Sequence, residues 1–185
     1  MIKRTVSWAE YQGLVGKLAR DISVSGWRPD YIVGITRGGA LPAVMLSHYL
    51  DVPMYTLDVK LRDHINTESN LWMAEDAFGY TSVEQEFGED PMLLVNDSMP
   101  KRILIVDDMN DSGATINWII DDWQSSCLPK DPFWDEVWGN SVRFGVLFDN
   151  TASKATVEMS YVGEEINKAE NDIWIDFPYE DWWTK

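Results

Sequence analysis

Ile103-Leu104-Ile105-Val106-Asp107-Asp108-Met109-Asn110-Asp111-Ser112-Gly113-Ala114-Thr115, continued by Ile116-Asn117-Trp118-Ile119-Ile120, decides the fold. Ile103 to Val106 is an unbroken run of branched apolar residues, as in a strand covered on both faces of a parallel sheet. From Thr115 onward Ile116, Ile119, Ile120 and Trp123 recur at helical spacing. Asp111 to Thr115 therefore lies where a helix opens. The first N–H groups of a helix lack internal partners and stand at the positive end of its dipole, so Ser112, Gly113, Ala114 and Thr115 offer several N–H donors and two hydroxyls to one phosphate. Gly113 permits close approach. Asp107 and Asp108 would repel that phosphate and need other partners, either ribose hydroxyls, a Mg2+ ion or both. An isolated Asp-Asp pair is more often a solvated strand end before an ordinary N-cap; the complete run is far more specific.

A second unit has the same design. Tyr31 to Thr36 is an apolar strand running into Arg37-Gly38-Gly39-Ala40-Leu41-Pro42 and a helix carrying Val44, Met45 and Tyr49. Consecutive N–H groups in such a turn form an anion nest, and Arg37 adds a fixed positive charge. Alone, a strand leading through two glycines to a helix often serves packing. With the first turn it gives two anion sites, suited to a ligand with a phosphate at one end and a diphosphate at the other.

Around these units, Ser7-Trp8-Ala9-Glu10 is a capping-box pattern opening a helix over residues 7–22, with Tyr11, Leu14, Val15, Leu18 and Ile22 on one face. Gly26 and Pro29 end it. Met54 to Val59 reads as a strand. Residues 60–100 are acidic and poorly periodic, a long insertion without a core of its own. Residues 125–140 form a connection that the pattern does not assign. Val142 to Phe148 is a further strand with 149–154 as its loop, and 172–179 is a last apolar unit.

Composition bounds the function. The 185 residues fit one α/β domain, 1–185, with a mostly parallel twisted sheet flanked by helices and a small hood inserted at 60–100. A net charge of −16 argues against a nucleic-acid partner, and no run of about 18 apolar residues suggests a membrane span. The N-terminus lacks a signal-peptide pattern, so a cytoplasmic protein is expected. The single cysteine, Cys127, rules out an internal disulfide and a cysteine-based zinc site.

Val106 to Thr115 resembles the phosphoribosyl pyrophosphate (PRPP) motif of type I phosphoribosyltransferases: an apolar strand, two acids and an Asp-Thr-Gly-x-Thr-like loop in which Ser112 stands for the usual Thr. The segment Ile173-Trp174-Ile175-Asp176-Phe177-Pro178 resembles the base-binding segment of the xanthine-guanine members. The likeness leaves out 60–100 and 125–140. It implies transfer of 5-phosphoribosyl from PRPP to a purine, with a 6-oxopurine such as guanine, xanthine or hypoxanthine favoured, and release of diphosphate in nucleotide salvage.

By the same resemblance, Asp111, Ser112, Gly113, Ala114 and Thr115 hold the 5′-phosphate, and Asp107 and Asp108 hold ribose and Mg2+. Thr36, Arg37, Gly38 and Gly39 hold diphosphate across a cis peptide at Thr36–Arg37. Trp174 stacks on the base, and the Ile175 backbone meets its edge. Asp111 is the general base toward purine N7. Family members carry a lysine for the 6-oxygen where this chain has Asn150, so Asn150 or the nearby Lys154 is expected to meet the base. The hood is expected to close over the site, with Lys60 and Arg62 as its basic residues. Homo-oligomers, dimers or tetramers, are usual.

Two other classes fit parts of the pattern. A PRPP-sensing binding module would bind PRPP without turnover. A phosphotransfer receiver would use a strand-end aspartate but has no use for Arg37-Gly38-Gly39 or Trp174.

Overall fold

A computed structural model describes residues 2–59, 71–84, 93–97 and 99–184. Its main sheet has five parallel strands: β2 (Tyr31–Thr36), β3 (Met54–Asp58), β6 (Ile103–Asn110), β7 (Val142–Asn150) and β8 (Tyr161–Ile166). They lie side by side as β3-β2-β6-β7-β8.

Alternation along the strands divides the interior into two layers. Leu104 and Val106 face one core with Leu18 and Ile22 of α1 (Trp8–Val24) and Leu46 of α2 (Ala40–Leu50). Ile103 and Ile105 face the other, against Ile116, Ile119 and Trp123 of α4 (Ala114–Ser126). This explains the unbroken apolar run in β6: both faces are covered, so no position is left for a polar side chain.

The connections place the site. β2 passes through α2 to β3 on one side, whereas β6 passes through α4 to β7 on the other. β2 and β6 are neighbours, so the strand order reverses between them, and a crevice opens there at the carboxyl ends. Both glycine-containing turns leave from that point.

Outside the main sheet, the structure departs from the sequence expectation in several places. Residues 60–100 are not without a core: α3 (Leu71–Phe78) buries Met73, Ala74 and Ala77 in the α4 layer. A single short helical face was masked by the acidic, aperiodic residues around it. β4 (Tyr80–Glu84) and β5 (Leu93–Asp97) then pair antiparallel. The expected hood lysine and arginine, Lys60 and Arg62, lie outside the described residues. The unassigned 125–140 connection begins with the end of α4 and holds α5 (Trp134–Val137). Trp134 stacks on Trp138 with ring centroids 5.6 Å apart, and the Trp134 indole N–H donates to the Cys127 carbonyl at 3.0 Å.

Besides β4 and β5, two further strands have no counterpart in the sequence expectation. β8 forms the edge of the main sheet, and β1 (Ile2–Thr5) pairs parallel with β9 (Ile173–Asp176) in a small second sheet. Among the described residues, no helix is long and apolar enough to cross a membrane.

Candidate active site

The β6–α4 turn is shaped by close backbone packing. Gly113 has φ +84°, and a Cβ there would stand 2.2 Å from the Ala155 backbone nitrogen. Lys154 N–H donates to the Ser112 carbonyl at 3.0 Å, so the 154–155 backbone presses on the loop from outside. α4 has no side-chain hydrogen bond at its Gly113 N-cap; the Ser112 hydroxyl accepts from Ala114 N–H at 3.3 Å. Asp111, Ser112, Gly113, Ala114 and Thr115 line one small cavity with Asp107. All five expected phosphate residues are thus brought together.

The β2–α2 turn meets β6 directly. The Thr36–Arg37 peptide is cis, as the resemblance implied. α2 also lacks a side-chain cap at Gly39. A Cβ on Gly39 would lie 2.1 Å from the Val106 carbonyl oxygen, and one on Gly38 would lie 2.0 Å from the Asp108 carboxylate. The glycines are therefore required by how closely the turn and the acidic pair approach. Thr36 points its hydroxyl back to the Leu57 carbonyl at 3.3 Å.

Between the turns stand the two acids. Asp107 Oδ1 accepts from Asp108 N–H at 2.9 Å, and Asp108 accepts from the Tyr179 hydroxyl. Burial pushes the Asp107 carboxyl well above the usual range, and the neighbouring Asp108 charge adds to this. Burial also raises Asp108, opposed mainly by the Tyr179 hydrogen bond. Burial and the Asp108 charge push the Tyr179 phenol up in turn, so it stays a proton donor.

A cavity of about 630 Å³ opens beside Asp108, lined by Arg37, Gly38, Trp174, Tyr179 and Lys3. Trp174 is 52% exposed. Its strand is anchored behind it, where the Ile175 side chain is buried and Lys3 Nζ lies 3.3 Å from Asp176. Arg37 and Trp174 thus share one cavity, as the diphosphate and base expectations require.

The expectation for Asn150 needs correcting. It is buried, its Nδ2 donates to the Asp111 carbonyl at 2.8 Å, and its Oδ1 accepts from Ala152 N–H at 3.2 Å and Lys168 N–H at 3.0 Å. It braces the Asp111 loop instead of presenting an amide to a base. Lys154 is exposed, and its carbonyl accepts from Asn117 Nδ2 at 2.8 Å, placing its backbone behind the phosphate loop. Asp111 itself meets Lys168 Nζ at 3.0 Å. The sequence reading missed Lys168 and Tyr179. Tyr179 lay inside the apolar unit at 172–179, whereas Lys168 sits in a turn after a strand that was itself not recognised.

A family model for the phosphoribosyl transferase domain matches residues 7–182. The chain belongs to that family. This phosphoribosyltransferase is 25% identical to the xanthine-guanine phosphoribosyltransferase of Cereibacter sphaeroides, over 95% of its own length and 85% of the relative's. Among solved structures it resembles a purine phosphoribosyltransferase from Pyrococcus horikoshii, with a TM-score of 0.59 and 26% identity over 97% of this chain and 95% of that one. The xanthine-guanine-hypoxanthine phosphoribosyltransferase of Helicobacter pylori has a TM-score of 0.60 at 17% identity, over 98% and 96% of the two chains, and shares the fold. The phosphoribosyltransferase is a transferase enzyme with a parallel α/β sheet.

Proposed function

We propose that the protein transfers the 5-phosphoribosyl group of PRPP to a 6-oxopurine base and releases diphosphate, as a step of purine salvage. The observation that carries this reading is the meeting, at one reversal of strand order, of two helix starts without side-chain caps and an acidic pair between them. Trp174 in the cavity beside Arg37 and Asp108 supplies a face for a flat base. The names of the Cereibacter and Pyrococcus relatives point the same way.

In this reading, the Ser112 to Thr115 amides and hydroxyls hold the 5′-phosphate, and Arg37 with the Gly38 amide holds the diphosphate, while Gly39, whose N–H donates to the Ile35 carbonyl at 2.7 Å, serves by its lack of a side chain. Asp107 and Asp108 hold the ribose hydroxyls and a divalent cation. The fit to Mg2+ rests on donor chemistry: two adjacent hard carboxylates, each disfavoured as an anion by its burial, gain from an added cation. Bound there, Mg2+ would neutralise charge on the leaving diphosphate. Tyr179 orients Asp108. As the sugar gathers positive charge, the fixed carboxylates stabilise it, and Asp111 accepts the proton from purine N7.

The test is incubation with PRPP, Mg2+ and each of guanine, xanthine, hypoxanthine, adenine and uracil, following diphosphate release. A 6-oxopurine is expected to be the best acceptor. Asp111→Asn should slow turnover far more than it weakens PRPP binding; equal turnover in the two proteins would remove Asp111 from the role of base.

A further inference from the structure

Two tryptophans near the carboxyl terminus, Trp182 and Trp183, are not accounted for by the fold. They lie in a short 3-10 turn, Trp182–Thr184, in which no residue is buried, and they are 66% and 68% exposed. The turn that carries them is held by polar contacts. Thr184 donates to the Asp181 carbonyl through its N–H at 2.9 Å and its hydroxyl at 2.8 Å. Glu180 N–H donates to the Phe177 carbonyl at 3.1 Å, and the Glu180 carboxylate accepts from Phe177 N–H at 3.0 Å. Neither indole is needed to form the turn, and each leaves a large apolar surface in water.

The two rings differ in what they face. Trp183 lines the cavity of about 630 Å³ together with Trp174, Arg37 and Asp108, whereas Trp182 is not among its lining residues. Trp182 meets Trp183 with ring centroids 6.2 Å apart and planes at 87°, a T-shaped contact that supports the Trp183 ring at the cavity. Between Trp174 and Trp183 the chain passes through Phe177 and Tyr179, whose rings stack with centroids 5.4 Å apart. The Tyr179 hydroxyl donates to Asp108. Residues 174–183 are therefore a strap whose middle is tied to the acidic pair, with one exposed indole toward each end in the same cavity.

We propose that Trp183 is a second aromatic wall of the base pocket, so that the purine is held by two indoles of one strap. This rests on the reading that Trp174 stacks on the base. The occupant follows from the company Trp183 keeps: a flat apolar surface beside Arg37 and Asp108 suits the ring of a base whose sugar phosphate lies against those residues. Stacking is made to the ring face and tolerates different exocyclic groups. Trp183 thus supplies affinity common to all 6-oxopurines and leaves the choice among them to hydrogen bonds at the ring edge.

The experiment compares wild type with Trp183→Ala, Trp183→Phe and Trp182→Ala. Steady-state kinetics would be measured with guanine, hypoxanthine and xanthine, and PRPP affinity by calorimetry without base. Trp183→Ala is expected to raise KM for each base about tenfold, the scale of one lost base–aromatic stack, with a much smaller change in kcat. The factor should agree within about twofold among the three bases, and PRPP affinity should be unchanged. Trp183→Phe should restore most of the loss, and Trp182→Ala should raise KM less than Trp183→Ala does. An active wild type whose KM survives Trp183→Ala would overturn this inference alone. So would a loss confined to one base, or a Trp182→Ala effect as large as that of Trp183→Ala. A wild type that transfers to no base would overturn the proposed function as well.

Discussion

The start of α1 and the starts of α2 and α4 solve one physical problem in opposite ways. At α1 the Ser7 hydroxyl accepts from Glu10 N–H at 3.2 Å, and the Glu10 carboxylate accepts from Ser7 N–H at 2.8 Å, a complete capping box. At α2 and α4 the N-cap is glycine and makes no side-chain bond. A helix whose only task is packing satisfies its orphan N–H groups from within. The two helices at the strand-order reversal have no such box. Gly39 and Ala40 N–H donate to the Ile35 and Arg37 carbonyls and Ala114 N–H to the Ser112 hydroxyl. Under the proposed function the N–H groups left over meet a ligand.

The sharpest way to break this contrast is at the acidic pair between the open starts. Asp107→Asn is expected to cut turnover by about two to three orders of magnitude, as the loss of a preorganised charge does elsewhere. The same change should raise the melting temperature of the ligand-free protein. The Asp107 carboxyl titrates above its unfolded value in the folded protein. Its contribution is therefore fully present below the unfolded pKa and lost as pH rises through the folded one, so the carboxyl costs stability once pH exceeds the unfolded value. Melting curves from acid to neutral pH should show a fall in wild type that is weaker in the variant, with a shift of about 2–4 °C for each kcal/mol. A variant that melts lower at neutral pH would contradict this.

Next in size is Gly113→Ala, which forces a Cβ onto the 154–155 backbone at a left-handed φ. Backbone cannot step aside cheaply, so kcat/KM for PRPP should fall about a hundredfold, the scale set by an ångström of misplacement. Gly38→Ala should do less, about tenfold or 1.4 kcal/mol, because the atom in its way is the end of a side chain, the Asp108 carboxylate. If Gly38→Ala proved the more damaging, the two turns would differ in the reverse sense, with the acidic pair the more rigid wall.

At the capped helix the expectation is reversed. Ser7→Ala should cost about 1 kcal/mol in denaturant unfolding and leave kcat/KM unchanged. The smallest effect lies at the far end of α4, where Cys127 is the C-cap and is buried. Burial, with a contribution from Glu75, pushes its thiol up to about 11. Thiol titration should find it inert in the native protein and reactive in denaturant.

The elements that could be read from the chain are those whose signals are local. β2, β6, α1 and α4 each carry their own period or cap, and both glycine turns announce themselves by composition. What could not be read depends on partners far away in sequence. β1 is four residues long with mostly exposed side chains, and in β8 Gly163 is followed by two consecutive glutamates, so neither shows an apolar run. α3 is one short face inside an acidic stretch. Asn150 occupies a position that resemblance assigns to the base, but whether its amide points to a ligand or to the Asp111 carbonyl depends on the loop facing it. Lys168 and Tyr179 reach their carboxylates from loops whose placement no spacing rule encodes.

The pairing of β1 with β9 has a bearing on motion. Ile2 sits in register with Ile173, and Lys3 with Trp174, so the aromatic wall of the cavity is zipped to a strand made almost a whole chain earlier. Two four-residue strands with one partner each open more readily than the five-strand sheet they lie beside. Amides of 2–5 and 173–176 should therefore exchange with solvent ahead of those in β6, and under the proposed function the base would be met by the part of the surface that comes undone first.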